Sequence, residues 1–84
     1  MSLNTYESFR RSIETKWLAG QRSGNVAAER LYERVLFRLV DQPGVALAHL
    51  GELAQSTRDP EVCAWYTAII HELASLLELK EKQP

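Results

Sequence analysis

Residues 58–77 read RDPEVCAWYTAIIHELASLL, and this stretch decides the fold class. Asp59 is a favoured N-cap residue, and Pro60 follows it at the first helical position, where its missing N–H costs nothing. Beyond this start signal, large apolar residues recur three or four positions apart, so they share one face of a helix. They are Val62, Tyr66, Ile69, Ile70, Leu73, Leu76 and Leu77. The pattern predicts a long C-terminal amphipathic helix.

The segments upstream carry the same helical period. Tyr6, Phe9, Ile13 and Trp17 fall on one face of a first helix, and Gly20 is the expected stop. The turn formers GQRSGN and DQPG separate two further helices, with Ser23 or Asn25 as the cap of the second helix. The predicted helices span residues 5–19, 25–40, 44–55 and 60–80. No stretch alternates with a period of two, so the predicted fold is all-α, a compact four-helix bundle forming a single domain over residues 1–84.

Composition limits the classes of protein that need to be considered. Of the 84 residues, 45% are hydrophobic and 25% are charged, which argues against a disordered chain. A single cysteine excludes an internal disulfide and favours a reducing compartment. No apolar run approaches the roughly 20 residues that a membrane helix needs. We therefore expect a cytoplasmic protein that does not bind a membrane.

Charge is divided unevenly along the chain. Residues 1–40 contain seven Lys or Arg and four Glu, a net charge of +3. Residues 41–84 contain three Lys or Arg and seven Asp or Glu, a net charge of −4. The basic N-terminal half makes a nucleic-acid-binding regulator the alternative function to consider. The overall net charge of −1, and the glutamates interleaved with the arginines, disfavour that alternative.

The second helix carries a candidate contact patch in the stretch RLYERVLFRL, residues 30–39. At 100° per residue, Phe37 lies nearly opposite the apolar face of this helix, and Val26 lies near it. Arg30, Arg34 and Arg38 climb the adjacent side. An aromatic residue beside arginines is typical of an interface anchor, and the arginines favour an acidic protein surface. Alternatively, Phe37 is a single exposed apolar residue among solvated arginines, or the helix touches two layers of the bundle.

The C-terminal helix offers a second candidate contact. At 1.5 Å per residue, the third and fourth helices would span roughly 18 and 32 Å, so the last turns of the fourth are expected to overhang the bundle. Leu76, Leu77 and Leu79 lie there, and a second copy of the chain would cover them. Trp65 lies at the edge of the apolar face, a position that suits either packing in the core or contact with a partner.

Few side chains are suited to catalysis or to metal binding. Cys63 borders the apolar face of the last helix and is expected to be a buried, inert thiol. His49 and His71 lie on outward faces of different helices, and His49 with Glu52 supplies only two metal ligands. The sequence has no phosphate loop, no GxGxxG, no HExxH and no paired-cysteine zinc spacing. We predict no catalytic residues, no metal site and no cofactor.

These patterns favour a small non-enzymatic protein-interaction module. Its C-terminal helix is predicted to form a homodimer, and its basic and aromatic patch is predicted to bind an acidic protein surface. An adaptor, an inhibitor or an immunity-type antidote would suit a chain of this size. The predicted partner-binding residues are Arg30, Arg34, Phe37, Arg38, Trp65, Leu76, Leu77 and Leu79.

Overall fold

Four α-helices account for nearly all of the chain in the computed structural model. They are α1 (Leu3–Ser23), α2 (Val26–Arg38), α3 (Pro43–Ser56) and α4 (Pro60–Lys82). The structure describes residues 3–82, and the side chains of residues 5–77. No strand occurs within residues 3–82. The predicted all-α fold with four helices is confirmed, and α2, α3 and α4 begin and end within two residues of their predicted bounds.

The end of α1 differs from its prediction, because the helix passes through Gly20 and stops at Ser23. Gly24 follows with a φ of +72°, a conformation that glycine adopts without strain. The Gly24 N–H donates to the Gln21 carbonyl at 3.3 Å, and the Asn25 N–H donates to the Gly20 carbonyl at 2.9 Å. This pair of bonds is a Schellman motif, so Gly24 ends the helix and the stop predicted at Gly20 is wrong.

Gly20 instead serves the packing of α1 against α2. It is buried, and a Cβ atom at this position would lie 3.1 Å from the backbone nitrogen of Glu29. A side chain here would therefore force the start of α2 away from the end of α1. The glycine permits a close approach of the two helices at the closed end of the α1–α2 hairpin.

Side-chain caps define the starts of α2 and α4. The Ala28 N–H donates to Asn25 Oδ1 at 3.1 Å, and the Glu61 N–H donates to Asp59 Oδ1 at 2.9 Å. Each bond satisfies a backbone donor that has no partner within the helix. Asp59 caps α4 as predicted, and Asn25 rather than Ser23 caps α2.

Two helical hairpins, α1–α2 and α3–α4, share one hydrophobic core. Each of the four helices contributes to it, so neither hairpin buries its apolar face alone. The buried residues of the core are Tyr6, Phe9, Ile13, Leu31, Val35, Leu39, Ala46, Leu50, Tyr66, Ile69 and Leu73. The assembled molecule measures 44 × 26 × 17 Å along its principal axes.

Tyr6 ties the start of α1 to the turn between the hairpins. Its hydroxyl lies 3.1 Å from the Leu39 carbonyl oxygen and 2.9 Å from the Asp41 carbonyl oxygen, and donates to both. Burial raises the pKa of the Tyr6 phenol above its ordinary value of 10.0; Arg10 partly counters this effect and the Asp41 carboxylate adds to it. The hydroxyl therefore stays protonated and able to donate well into the alkaline range.

Candidate protein-interaction surface

The side of α2 that faces away from the core, together with the turn that follows this helix, carries the most exposed large apolar side chains among residues 5–77. Val40 is 74% exposed, Phe37 is 65% exposed and Val26 is 54% exposed. Arg30 and Glu33 lie between them and are also exposed. We call these five residues the α2 outer face. Its apolar members contribute nothing to the core, so the fold leaves them available for a contact.

An apolar groove of about 430 Å³ runs between α1 and α2, beside this face. Its lining residues are Arg10, Glu14, Trp17, Glu33, Leu36, Phe37 and Val40. A second cavity, of about 280 Å³, continues from Arg10 and Val40 towards Tyr6 and Pro43. The Trp17 indole nitrogen is buried and has no hydrogen-bond partner within the described part of the chain. Phe37 and Val40 thus border a concave surface whose lining is mainly apolar.

The structure separates the three arginines of the predicted patch. Arg30 and Arg34 are exposed on the side of α2 next to Phe37. Arg38 is half-buried and lines a different cavity, of about 510 Å³, with His49 and Glu52 of α3. Two of the three arginines therefore accompany Phe37, and the third faces α3.

Ion pairing does not neutralise the two exposed arginines. Among the side chains of residues 5–77, the only ion pair within 4 Å joins His49 Nδ1 to Asp41 Oδ2 at 3.4 Å. Arg30 and Arg34 therefore carry positive charge that no carboxylate in this part of the chain offsets at short range. A partner surface with carboxylates near Phe37 would meet both of them.

The candidate residues of α4 make more contacts within the fold than those of α2 do. Trp65 is 38% exposed, and its ring stacks on Tyr32 of α2 with the ring centroids 6.4 Å apart. Leu76 and Leu77 are partly buried and pack against the shared core. The Leu79 side chain lies outside the described residues. The free apolar surface that Leu76 and Leu77 present is therefore smaller than the expected overhang would give.

The side chains considered for catalysis or metal binding do not form a cluster. The Cys63 thiol is half-buried rather than buried as expected, and it donates from α4 to the Ala54 carbonyl oxygen of α3 at 3.6 Å. His49 contacts Asp41, and His71 is exposed on α4. Within the described residues, no three His, Cys, Asp or Glu side chains could hold a metal ion together. That the chain is not an enzyme stays a prediction.

Two features of this surface were not predicted from the sequence. The predicted second helix, residues 25–40, includes Val40, but α2 ends at Arg38, and Val40 lies beyond it at the surface. The helical period predicts Trp17 on the apolar face of α1, yet it is half-buried and lines the groove. Pro43 signals that α2 ends before Gln42, since the residue before a proline rarely adopts a helical conformation, but it does not distinguish an end at Arg38 from one at Val40. For Trp17 the sequence carries no comparable signal.

No protein family model matches this chain, and no curated protein or solved structure is significantly similar to it. None of the helices within residues 3–82 combines the length and the apolar character that crossing a bilayer requires.

Proposed function

We propose that this chain is a small non-enzymatic protein-interaction module of the cytoplasm, with the α2 outer face as its contact surface. An adaptor, an inhibitor or an immunity-type antidote would act in this way. One observation carries the proposal: Phe37 and Val40 project from the fold at the border of an apolar groove of about 430 Å³. Contiguous apolar surface of this kind, rimmed by charged residues, is typical of a protein contact site.

The composition of the surface indicates the chemistry of its partner. Phe37 would act as the central anchor, because burying a large aromatic side chain supplies much of the binding energy of an interface. Arg34 and Arg30 stand three and seven residues before Phe37 on α2, and they have no short-range carboxylate partner in the described part of the chain. The partner would therefore offer an apolar site for Phe37 with acidic groups close by.

Self-association belongs to the same proposal. The sequence suggested a homodimer formed through Leu76, Leu77 and Leu79 of α4. The partial burial of Leu76 and Leu77 in the core, against the high exposure of Phe37 and Val40, supports α2 as the principal contact instead. The exposed side chains of α4 would then act only as a secondary contact.

The exposure of basic residues favours a second candidate, a nucleic-acid-binding regulator. Six cationic side chains of the α1–α2 hairpin are exposed: Arg10, Arg11, Lys16, Arg22, Arg30 and Arg34. Phosphate contacts by such residues would make binding fall steeply with salt, and Arg34→Ala would weaken it on every sequence alike. Titration of a mixed-sequence duplex and of a single-stranded RNA at two salt concentrations distinguishes this candidate.

A photo-crosslinking experiment tests the proposed function. The photoreactive amino acid benzoyl-phenylalanine replaces Phe37 in one variant, and Ala68, exposed on the outer side of α4, in a matched control. The proposal expects a discrete protein adduct in the host cell from position 37 and none from position 68. Adding Arg30→Glu should reduce the adduct. Equal labelling from both positions, or no protein adduct from position 37, overturns the proposed function.

A further inference from the structure

The α2 outer face has the spacing of a coiled-coil seam. Val26, Arg30, Glu33 and Phe37 follow one another along α2 at intervals of four, three and four residues, and Val40 lies beyond the end of the helix. Alternating steps of three and four keep side chains on one narrow line of a helix. All four helical side chains are exposed, so the seam faces away from the chain's own core. A seam of this kind is suited to contact a second helix along its length.

The side chains along this seam match those of a second α2 that runs in the opposite direction. From Val26 to Phe37 it reads apolar, basic, acidic, apolar. If a second α2 lies antiparallel, centred between residues 31 and 32, Arg30 of each chain lies opposite Glu33 of the other. The same register places each Val26 opposite Phe37 of the other chain.

A parallel arrangement in register lacks this complementarity. It would place Arg30 against Arg30 and Glu33 against Glu33, two repulsive contacts in the middle of the seam. Like charges brought together in an interface cost several kcal/mol. Charge therefore selects the antiparallel orientation.

We propose that the partner of the α2 outer face is a second copy of this chain, docked with its α2 antiparallel to the first. This inference rests on the proposed function, since it names the occupant of that contact surface. Twofold symmetry is satisfied, because every contact across the seam occurs twice. The second copy's Val26 would lie beside Phe37, at the edge of the groove that Trp17 and Leu36 also line.

The two kinds of contact have different roles. Burial of Phe37 against Val26, twice per dimer, removes apolar surface from water and provides the attraction. The Arg30–Glu33 contacts add little net energy, since desolvation offsets most of the gain from pairing two charges. They exclude the parallel orientation and shifted registers instead. From Val26 to Phe37 the seam is roughly 16 Å long at 1.5 Å per residue, so the dimer is expected to be weak and reversible.

Charge reversal tests the inference on the full-length chain. Arg30→Glu and Glu33→Arg each create like-charge contacts, and each should raise the dimer dissociation constant by on the order of 100-fold. The double variant R30E/E33R recreates two opposite-charge contacts and should return the constant to within a few-fold of the original. Analytical ultracentrifugation over a wide concentration range measures all three, and circular dichroism verifies that each variant is folded.

Lys16→Glu is the matched control. It makes the same change in charge at an exposed residue of α1 that does not line the groove, and should leave the dissociation constant nearly unchanged. If Lys16→Glu weakens the dimer as much as Arg30→Glu does, net charge governs association, and the antiparallel seam is wrong. Failure of R30E/E33R to restore the dimer contradicts the proposed register in the same way.

Two further outcomes separate this inference from the proposed function. A dimer that dissociates with Leu77→Glu but tolerates Arg30→Glu would place self-association on α4 and overturn the inference. A chain that is monomeric at every concentration also overturns it. In either case, a crosslinked adduct from position 37 with a different protein would leave the proposed function standing, and the absence of any protein adduct would end both.

Discussion

The two helical hairpins contribute almost equally to the core but present very different surfaces. Each supplies five or six of the buried apolar side chains. The segment that contains α1 and α2 has a net charge of +3, whereas the remainder has a net charge of −4. The three most exposed large apolar side chains belong to the first hairpin or directly follow it. None of these three side chains belongs to the shared core.

The largest loss of stability is expected from substitutions in the core, to which both hairpins contribute. Ile13 of the first hairpin and Leu50 of the second are both fully buried in the shared core. Ile13→Ala and Leu50→Ala should each lower the free energy of unfolding by about 2–5 kcal/mol, through lost apolar burial and the cavity that remains. Urea titration followed by circular dichroism and by tryptophan fluorescence measures the loss.

The same titration tests whether the core is truly shared. Both probes should report one coincident transition for each variant, because neither hairpin has a core of its own. Two separate transitions would show instead that the hairpins unfold independently. Ile13→Val, with an expected cost of about 1 kcal/mol, serves as the milder variant if the alanine variants do not fold.

The next effect concerns the link between the hairpins. Tyr6→Phe removes the hydroxyl that donates to the Leu39 and Asp41 carbonyls, and should cost about 1–2 kcal/mol of unfolding free energy. Tyr6 is buried and the substitution keeps its ring, so little packing is lost. A thermal unfolding midpoint equal to that of the unmodified chain would show that the two hydrogen bonds contribute nothing to stability.

Tyr6 also makes stability depend on alkaline pH. Its pKa is raised in the folded chain, chiefly by burial, so the unfolded chain loses this proton first, near pH 10. The associated stability is complete below about pH 10 and is lost as the pH rises towards the raised folded value. Tyr6→Phe should therefore lose less stability than the unmodified chain between pH 9 and pH 11, as followed by urea midpoints. Identical pH dependence of the two proteins would contradict this assignment.

A smaller effect, with opposite signs, is expected from a pair of helical glycines. At Gly51 an added Cβ meets open space, so Gly51→Ala should stabilise the fold by up to about 1 kcal/mol through helix propensity. At Gly20 the same atom would lie 3.1 Å from the Glu29 backbone nitrogen, and Gly20→Ala should destabilise by roughly 1 kcal/mol. Differential scanning calorimetry measures both. Stabilisation by Gly20→Ala would mean that α2 shifts to accommodate the added Cβ atom at little cost in free energy.

The smallest effect should come from the most exposed aromatic residue. Phe37→Ala is expected to change the unfolding free energy of the monomer by less than about 0.5 kcal/mol, since Phe37 lies outside the core. Trp65→Ala removes a ring that stacks on Tyr32 and should cost about 1 kcal/mol. Unfolding at low protein concentration compares the two variants. A larger loss from Phe37→Ala would place Phe37 among the stabilising residues of the fold.

Local signals in the sequence were sufficient where a helix end depends only on its own residues. Asp59 and Pro60 locate the start of α4 because capping and proline placement act within one turn. The end of α1 required knowledge of a second helix. Gly20 and Gly24 both resemble stops, and only the close approach of α2 at Glu29 explains why Gly20 lies inside the helix.

The candidate surface was likewise predictable only where it depends on a single helix. Helical periodicity alone placed Phe37 opposite the core face, and its exposure confirms that geometry. Periodicity does not determine which neighbouring helix a flank meets, so the position of Arg38 beside α3 could not be predicted. The partial burial of Leu76 and Leu77 likewise depends on how far the other helices extend along α4.

The Tyr6 hydroxyl also has a consequence for the order of folding. Most helix contacts in this chain join neighbours in sequence, which favours rapid formation of the hairpins. The Tyr6 bonds join residues 33 and 35 positions apart, and they need the turn after α2 already in place. We expect them to form after the rate-limiting step, so that Tyr6→Phe accelerates unfolding and leaves the refolding rate nearly unchanged. Tyr6 would then govern how long the folded chain persists rather than how quickly it forms.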